Sequence, residues 1–284
     1  GAGAAGLMAG LTAGFRGRSV LILERSNMVG KKILMSGGGR CNFTNQYVDY
    51  DNFLSENSHF CIGALNAYTA DDFIQMVDRH NIQYEIRKHN QLFCINSSSD
   101  ILEMLLAECS LAKVDIETHS TVGSISYSEP QNENDKNDQY SYVLNSQYNG
   151  KREHVRSDKI SCKSLVIATG GLSVPTLGGS GFGYDLATKF SLDITDLSAG
   201  LVPFTFSGNI QTMAKRLSGV SRYVDVTCNG KTFREHILFT HRGISGPAIL
   251  QISNYWKDGQ SISIDLFPDQ NVTDQLLKQK EKQS

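Results

Sequence analysis

Hydrophobic and polar residues follow helical and strand-like patterns along the first part of the chain. Leucine and phenylalanine recur four residues apart within a stretch of small residues, which predicts a helix over Gly3–Phe15. The uninterrupted apolar run Ser19–Leu23, closed by Glu24, predicts a buried strand. A helix followed by a buried strand is typical of α/β folds with a parallel sheet. The sequence therefore predicts a Rossmann-like α/β domain at the start of the chain.

The same kinds of pattern predict further helices and strands before Gly200. Helical spacing of apolar residues predicts helices over Thr69–His80, which Thr69 caps, Ser99–Lys113 and Tyr184–Phe190. Strand-like runs predict strands over Val114–His119, Val122–Tyr127 and Ser164–Ala168. Two glycine-rich or polar stretches predict loops, Ile33–Asn45 and Pro130–Gln139.

The pattern changes near Gly200, where short strand-like runs replace the alternation of helix and strand. The runs predict strands over Leu201–Phe206, Tyr223–Cys228, Lys231–Phe239 and Ser261–Phe267. Ser245, with Pro247 two positions later, predicts the capped start of a helix that ends near Trp256. We therefore predict an α/β domain over residues 1–200, a β-rich domain over 201–267 and the start of a helical segment over 268–284.

Composition and charge limit the classes of partner that the sequence predicts. The 284 residues carry 27 Lys and Arg against 29 Asp and Glu, a net charge of −2, and 40% of them are apolar. This balance argues against nucleic acid or an anionic membrane as a partner, and we expect neither. The sequence contains no recognisable targeting segment or metal-binding motif, and its six cysteines are scattered. We expect a cytoplasmic protein that acts on a small-molecule substrate.

The chain opens on a glycine-rich turn, Gly-Ala-Gly-Ala-Ala-Gly, directly before the first predicted helix. In such a turn Gly1 permits the tight bend, Gly3 lets the backbone approach a pyrophosphate, and Gly6 allows close helix packing. The first N–H groups of the helix then face the phosphates. Glu24 has the position of an acid that binds ribose hydroxyls and disfavours a 2′-phosphate. Because this turn ordinarily follows a buried strand, we expect the chain to be part of a longer protein.

The stretch Gly30–Asn45 predicts a second anion-binding element. Three consecutive glycines, Gly37 to Gly39, expose backbone N–H groups that can form an anion-binding nest. Polar and basic side chains flank the glycines: Lys31, Lys32, Ser36, Arg40 and Asn42. Cys41 lies in the same stretch, and since no second cysteine is near it in the sequence, we interpret it as an inert thiol.

Four motifs occur together in this chain: Gly1–Gly10, Lys32–Asn45, Leu165–Gly171 and Phe239–Pro247. Together they resemble the BaiN/YhiN-like family of bacterial flavoproteins, and the resemblance extends over most of the chain. It implies an FAD-binding domain of the glutathione-reductase type, interrupted by a β-rich, barrel-like domain and then a helical one. It further implies a C-terminal segment that completes the flavin site. We therefore expect hydride exchange between flavin N5 and a small organic substrate, with the flavin reset by transiently bound NAD(P)H or by oxygen.

The resemblance also implies roles for particular residues. Gly1, Gly3 and Gly6 would hold the FAD pyrophosphate, and Glu24 the adenosine ribose. Val122 would contact the adenine through its backbone. The expected cofactor-binding residues are Gly1, Gly3, Ala5, Gly6, Glu24, Arg25, Lys32, Ser36, Gly37, Gly38, Asn42, Val122, Ala168, Thr169 and Gly170.

Two residues are candidates for the reaction itself. His241 is either a proton donor or a structural hydrogen-bonding residue. Arg40 either orients an anionic substrate or pairs with an FAD phosphate, and we favour the phosphate. The labels of the family that the chain resembles, enone reductase and amine oxidase, leave the substrate open. A SAM-dependent methyltransferase, which uses a related turn and acid, and a nucleotide-binding module without catalysis remain as alternatives.

Overall fold

The computed structural model describes residues 1–128, 141–150 and 159–269. The chain divides into two compact units, Gly1–Ile194 and Thr195–Ser284. The loop predicted over Pro130–Gln139 and all but the start of the helical segment predicted over 268–284 lie outside the described residues. Among the helices of the described ranges, none combines the length and apolar character needed to cross a bilayer.

The described residues of the first unit form helices and three small sheets. Its helices are α1 (Ala4–Phe15), α2 (Lys31–Met35), α3 (Ile62–Ala67), α4 (Ala70–Arg79), α5 (Ser99–Leu111) and α6 (Phe182–Lys189). Its strands are β1 (Val20–Leu23), β2 (Asn42–Asn45), β3 (Tyr84–Ile86), β4 (Gln91–Cys94), β5 (Val114–Glu117), β6 (Ser120–Ser128), β7 (Ser141–Tyr148) and β8 (Lys159–Cys162). Strands β1 and β5 pair in parallel, whereas the sheets β2-β4-β3 and β6-β7-β8 are antiparallel.

Helix α1 lies close against the parallel pair because glycines face it. A Cβ on Gly10 would come within 2.7 Å of Ile22 Cδ1, and one on Gly14 within 2.5 Å of the Ala112 carbonyl oxygen. The opposite side of α1 buries leucines against α5, and these residues form the main core of the unit. This packing holds the amino end of α1 beside the carboxyl end of β1.

In its described residues, the second unit has a five-stranded antiparallel sheet and two helices. Its helices are α7 (Gly208–Arg216) and α8 (Pro247–Ile252), and its strands are β9 (Phe204–Thr205), β10 (Ser221–Cys228), β11 (Lys231–Thr240), β12 (Gly243–Ser245) and β13 (Ser263–Asp265). The strand order is β13-β10-β11-β12-β9. Val224, Val226 and Ile237 from the sheet are buried with Ile249 and Ile252 of α8, which forms a separate core.

Several predicted elements differ from the observed ones. The predicted strand Ser164–Ala168 forms no ladder with the described residues; Val166 is 67% exposed, whereas Leu165 packs against the small core around Ile125. The predicted loop Ile33–Asn45 contains α2, a 3₁₀ turn and β2. Ser245 ends β12, and Gly246, with φ of 97°, precedes α8 without a side-chain cap. Helix α7 lies in the part of the chain predicted as β-rich. Only Ala214 of this helix is buried, so its sequence contains no run of apolar residues that would have predicted it.

Candidate functional site

A cleft of about 410 Å³ opens in the first unit where β1 ends and α1 begins. It is a site between the carboxyl end of a parallel strand and the amino end of a helix, the usual ligand position in α/β folds. Polar, glycine and basic residues on its wall are Gly1, Gly3, Glu24, Ser26, Gly30, Lys31, Lys32, Ser36, Asn42, Thr169, Gly170 and Gly178. Its apolar residues include Ala2, Ala4, Ala5, Met8, Met28, Ile33, Cys41, Phe43, Phe73, Ile101, Leu105, Ala168 and Leu177.

The glycine turn presents an open face to this cleft. Gly3 precedes α1 with extended backbone, and a Cβ built on it would meet no atom within 4 Å. Gly6 faces inward, because a Cβ there would collide with the carbonyl oxygen of Gly1. The two glycines therefore have different roles: Gly6 permits the tight turn, and Gly3 leaves free the space in front of the helix amino end. The positive end of the helix dipole suits a phosphate in that space.

Glu24 joins the end of β1 to the glycine turn. The backbone N–H of Ala2 donates to Glu24 Oε2 at 2.7 Å, and the N–H of Ser26 donates to Oε1 at 2.8 Å. Burial acts to raise the pKa of this carboxyl, but the hydrogen bonds from Ser26 and Ala2 outweigh it and hold the pKa below its ordinary value. Glu24 is therefore a carboxylate on the cleft wall at neutral pH, an acceptor that suits ribose hydroxyls.

A second wall of the cleft comes from residues distant in sequence. A Cβ on Gly1 would lie 2.5 Å from the Ala168 carbonyl oxygen, so the turn Ala168–Gly170 lies directly against the glycine turn. Lys32 reaches across from α2, and its Nζ donates to the carbonyl oxygen of Ser173 at 2.9 Å. Thr169 Oγ1 is buried and has no hydrogen-bond partner within the described ranges. An unsatisfied hydroxyl in a ligand-sized cleft indicates a missing partner there.

The glycine stretch after α2 forms a left-handed turn behind this wall. Gly37, Gly38 and Gly39 have φ of 57°, 66° and 84°, a conformation that side-chain-bearing residues rarely adopt. A Cβ on Gly37 would also lie 2.8 Å from the Asn42 backbone nitrogen. With its amide oriented to satisfy both ends, Asn42 donates to the carbonyl oxygens of Thr44 and Leu92. Ser36 Oγ donates to the Ile33 carbonyl oxygen at 2.7 Å, which fixes the start of the turn.

A second cysteine lies beside Cys41, although none is near it in the sequence. The backbone N–H of Cys94 donates to the carbonyl oxygen of Arg40, the residue before Cys41. Burial raises the pKa of the Cys41 thiol, and it raises that of Cys94 to about 11, with a further contribution from Cys41 itself. Both thiols are thus protonated at neutral pH, which agrees with the interpretation of Cys41 as an inert thiol; that interpretation stays a prediction.

The structure brings ten of the expected cofactor-binding residues to the cleft wall: Gly1, Gly3, Ala5, Glu24, Lys32, Ser36, Asn42, Ala168, Thr169 and Gly170. Gly6, Gly37 and Gly38 shape the turns behind it. Arg25 lies at the rim, where its Nη2 donates to the Gly178 carbonyl oxygen at 3.3 Å. Val122 lies outside the wall, on β6, and packs against the small core around Ile125.

The two candidates for catalysis lie in different units of the chain. Arg40 is exposed outside the cleft wall, and its Nη1 donates to the Ile95 carbonyl oxygen at 2.5 Å. His241 is exposed in the turn between β11 and β12, in the second unit. The apolar residues Met8, Phe43, Phe73 and Leu105 on the wall were not predicted from the sequence. Phe43 directly follows Asn42 in the glycine-rich stretch, and this closeness in sequence is what could have predicted it as a site residue.

The residues of this cleft fit the FAD that the sequence resemblance implies. The open position at Gly3 leaves room for a pyrophosphate at the helix end, and the Glu24 carboxylate suits a ribose. The unsatisfied Thr169 hydroxyl and the Lys32 ammonium add a donor and a positive charge on the opposite wall. The donor set therefore suits a dinucleotide, with anion-binding groups on two sides.

Two curated relatives match almost the whole chain. The chain is 43% identical over 281 residues to a protein of Escherichia coli named ribosomal RNA dihydrouridine synthase, and 42% identical over 283 residues to one of that name from Haemophilus influenzae. The match covers 99% of this chain and 66% of each relative, so the chain spans just under two thirds of their length. A third relative, 25% identical over 290 residues and matched over 96% of this chain and 64% of its own, is a 3-dehydro-bile acid delta(4,6)-reductase from Clostridium scindens.

These relatives correct one expectation. The exclusion of nucleic acid as a partner is wrong, because the two relatives above 40% identity are named for action on ribosomal RNA. The exclusion rested on the net charge of −2, which is a sum over the whole chain. A sum of this kind says nothing about the local surface that meets a phosphate backbone or a base.

Two family models cover the chain between them. The model of the HI0933-like protein Rossmann domain matches residues 1–224, and that of the HI0933-like protein barrel and H2TH domain matches residues 198–284. The predicted fold class, a Rossmann-like domain with a β-rich barrel-like part, is thereby confirmed. At family level the matches support an FAD-binding flavoprotein of the oxidoreductase class. The chain belongs to the HI0933-like family of proteins.

Proposed function

We propose that the protein is an FAD-dependent reductase of a carbon–carbon double bond conjugated to a carbonyl group, with uridine in ribosomal RNA as its substrate. The names of the relatives support this chemistry. Conversion of uridine to dihydrouridine reduces the C5–C6 bond, which is conjugated to the C4 carbonyl, and a delta-reductase of a 3-dehydro steroid also reduces double bonds. The higher identity of 42–43% favours uridine over a steroid.

The observation that carries the proposal is the cleft between Gly3 and Glu24. The amino end of α1 and the open position at Gly3 would bind the pyrophosphate, and Glu24 would bind the adenosine ribose. When bound, FAD would supply the hydride, and NAD(P)H is the proposed source of its electrons. Lys32 and Thr169 would hold the cofactor from the opposite wall, and the apolar residues of the wall, such as Phe43, Phe73 and Leu105, would exclude water.

The first test uses the full-length protein. An absorption spectrum from about 300 to 550 nm, with mass analysis of any released cofactor, is expected to show flavin bands and FAD. Thermal shift with S-adenosylmethionine serves as the control for the methyltransferase alternative and should show no stabilisation. A colourless protein that cannot be reconstituted with FAD would overturn the proposal.

The second test concerns the substrate. The FAD-loaded, full-length protein is incubated with NADPH and protein-free ribosomal RNA from cells that lack the protein, and nucleosides are quantified by mass spectrometry. Dihydrouridine is expected to appear only with enzyme, reductant and RNA together. Reduction of a 3-oxo steroid enone, without reduction of uridine, would show that the substrate is a small molecule and not RNA. FAD binding without either activity would favour the non-catalytic nucleotide-binding module.

A further inference from the structure

The second unit contains a pocket that the proposed cofactor site does not use. It has a volume of about 310 Å³ and is lined by Ser221, Arg222, Tyr223, Phe267, Pro268 and Asp269. The pocket forms because the chain leaves the sheet. The last residue of β13 pairs with Asp225, while β10 continues back to Ser221, and none of the described residues pairs with this stretch on that side. We call this space the edge pocket.

Aromatic and guanidinium groups form the walls of the edge pocket. The Arg222 guanidinium lies 4.6 Å from the centre of the Phe267 ring, and its Nε donates to the Leu266 carbonyl oxygen at 3.0 Å. Tyr223 is 42% exposed, and its ring packs edge-on against His236 at 5.3 Å. Because Arg222 and Tyr223 are consecutive residues of β10, the two planar groups lie on opposite faces of the sheet at this edge, and either could stack with a planar ligand.

Polar groups of the edge pocket remain available for a ligand. The Nη atoms of Arg222 and the hydroxyl of Tyr223 make no hydrogen bond with the residues that the structure describes. The carboxylate of Asp269 accepts from Arg234 Nη1 at 3.0 Å, and Arg234 also binds Asp225 through two contacts of 2.7 Å. Arg234 pairs with both carboxylates, whereas Arg222 pairs with no carboxylate among the described residues, so its guanidinium is the cation available to an anionic group.

We propose that the edge pocket binds an unpaired base of a single-stranded RNA segment, with the base stacked on Tyr223 or on the Arg222–Phe267 pair. Arg222 would contact the adjoining phosphate, and Asp269 would accept from an N–H of the base. Stacking on aromatic rings and guanidinium planes is how proteins read bases that are not paired. The inference rests on the proposed RNA substrate and adds an RNA contact in the second unit.

The test measures RNA binding by full-length, FAD-loaded protein. Fluorescence anisotropy with a short fluorescein-labelled single-stranded RNA gives Kd for the native protein, Tyr223→Ala and Arg222→Ala. We expect each substitution to raise Kd about 5- to 100-fold, the effect of removing one stacking partner. Tyr223→Phe keeps the ring and is expected to bind nearly as well as the native protein, while Arg222→Lys keeps only the charge and is expected to bind less well.

Matched controls separate this effect from general loss of charge or fold. Arg216→Ala removes an exposed arginine at the end of α7, and Phe60→Ala removes an aromatic side chain that is 80% exposed in the first unit. Both should leave Kd unchanged. Flavin content and melting temperature of every variant are measured alongside, so that a misfolded variant is recognised.

Photocrosslinking gives a measurement that does not depend on a substitution. RNA that contains 4-thiouridine is irradiated with the native protein, and crosslinked peptides are identified by mass spectrometry. Crosslinks to Tyr223 or Phe267 are expected. Native protein that binds RNA, with unchanged Kd in Tyr223→Ala and Arg222→Ala and crosslinks only elsewhere, overturns the edge pocket and leaves the proposed function standing. Native protein that neither binds RNA nor forms dihydrouridine overturns both.

Discussion

The Glu24 carboxylate accepts a hydrogen bond from the backbone N–H of Ala2 at 2.7 Å, which ties the end of β1 to the glycine turn. The same carboxylate lies on the wall of the cleft. One side chain thus positions the phosphate-binding turn and offers acceptors for a ribose. Substitutions at Glu24 therefore act on both the turn and the cofactor, and controls have to separate the two effects.

Gly3→Val is expected to abolish FAD retention by the full-length protein with little loss of fold stability. Its side chain would enter the open space in front of α1, where no protein atom lies within 4 Å. The free energy of unfolding of the apoprotein should change by about 1 kcal/mol or less, the cost of a poorer helix cap. Flavin absorbance per protein and urea unfolding measure the two quantities.

Gly6→Val is the matched substitution for Gly3→Val. Its side chain would collide with the Gly1 carbonyl oxygen, so it should destabilise the apoprotein by about 1 to 3 kcal/mol or more. The two variants differ in whether the fold or only the ligand is affected. Stoichiometric FAD in purified Gly3→Val would contradict the placement of the pyrophosphate.

Glu24→Ala is expected to weaken FAD affinity by about 1 to 3 kcal/mol, because a charged hydrogen-bond acceptor is removed. Glu24→Gln keeps one carbonyl oxygen and should lose less. Glu103→Ala, an exposed glutamate on α5, is the control and should not change Kd. Isothermal titration of the apoproteins with FAD measures the affinities, and equal Kd for native protein and Glu24→Ala would show Glu24 to be no ribose ligand.

The contribution of Glu24 to stability should depend on pH in the acidic range. Its pKa in the folded protein lies below the ordinary value, so the folded state binds its proton less readily than the unfolded state. Stability from Glu24 is therefore present above the unfolded pKa of about 4.3 and is lost as pH falls through the folded pKa. Urea unfolding measures the free energy of unfolding of the native protein and of Glu24→Gln. The difference between the two free energies should shrink as pH falls, and a constant difference would argue against the lowered pKa.

Cys94 should make stability fall in the alkaline range. Burial raises its pKa to about 11, above the value of about 8.5 in an unfolded chain. Its contribution is therefore complete below about pH 8.5 and is lost as pH rises through about 11. The loss of unfolding free energy over this interval should be smaller in Cys94→Ala than in the native protein, with Cys61→Ala, at a less buried thiol, as the control. Identical pH dependence in native protein and Cys94→Ala would contradict the buried thiol.

The first helix, the strand that follows it and Glu24 were predictable because their signals are local. A helical period, an apolar run and a glycine turn act over a few residues, and they place Gly3 and Glu24 near each other whatever the rest of the chain does. The capped helix after Thr69 was predictable for the same reason, since Thr69 and Asp72 bond within one turn.

Contacts between distant segments were decided only by the tertiary structure. Ala168 lies against Gly1, and Cys94 lies beside Cys41, because strands and turns far apart in the chain pack together. The apolar run Ser164–Ala168 has the composition of a strand but forms no ladder with the described residues, since pairing depends on the other segments and not on composition. The edge pocket arises because β13 stops pairing with β10 at Asp265, and the register of these two strands decides where that happens. Periodicity and composition record what each segment favours, whereas pairing and burial depend on which other segment it meets.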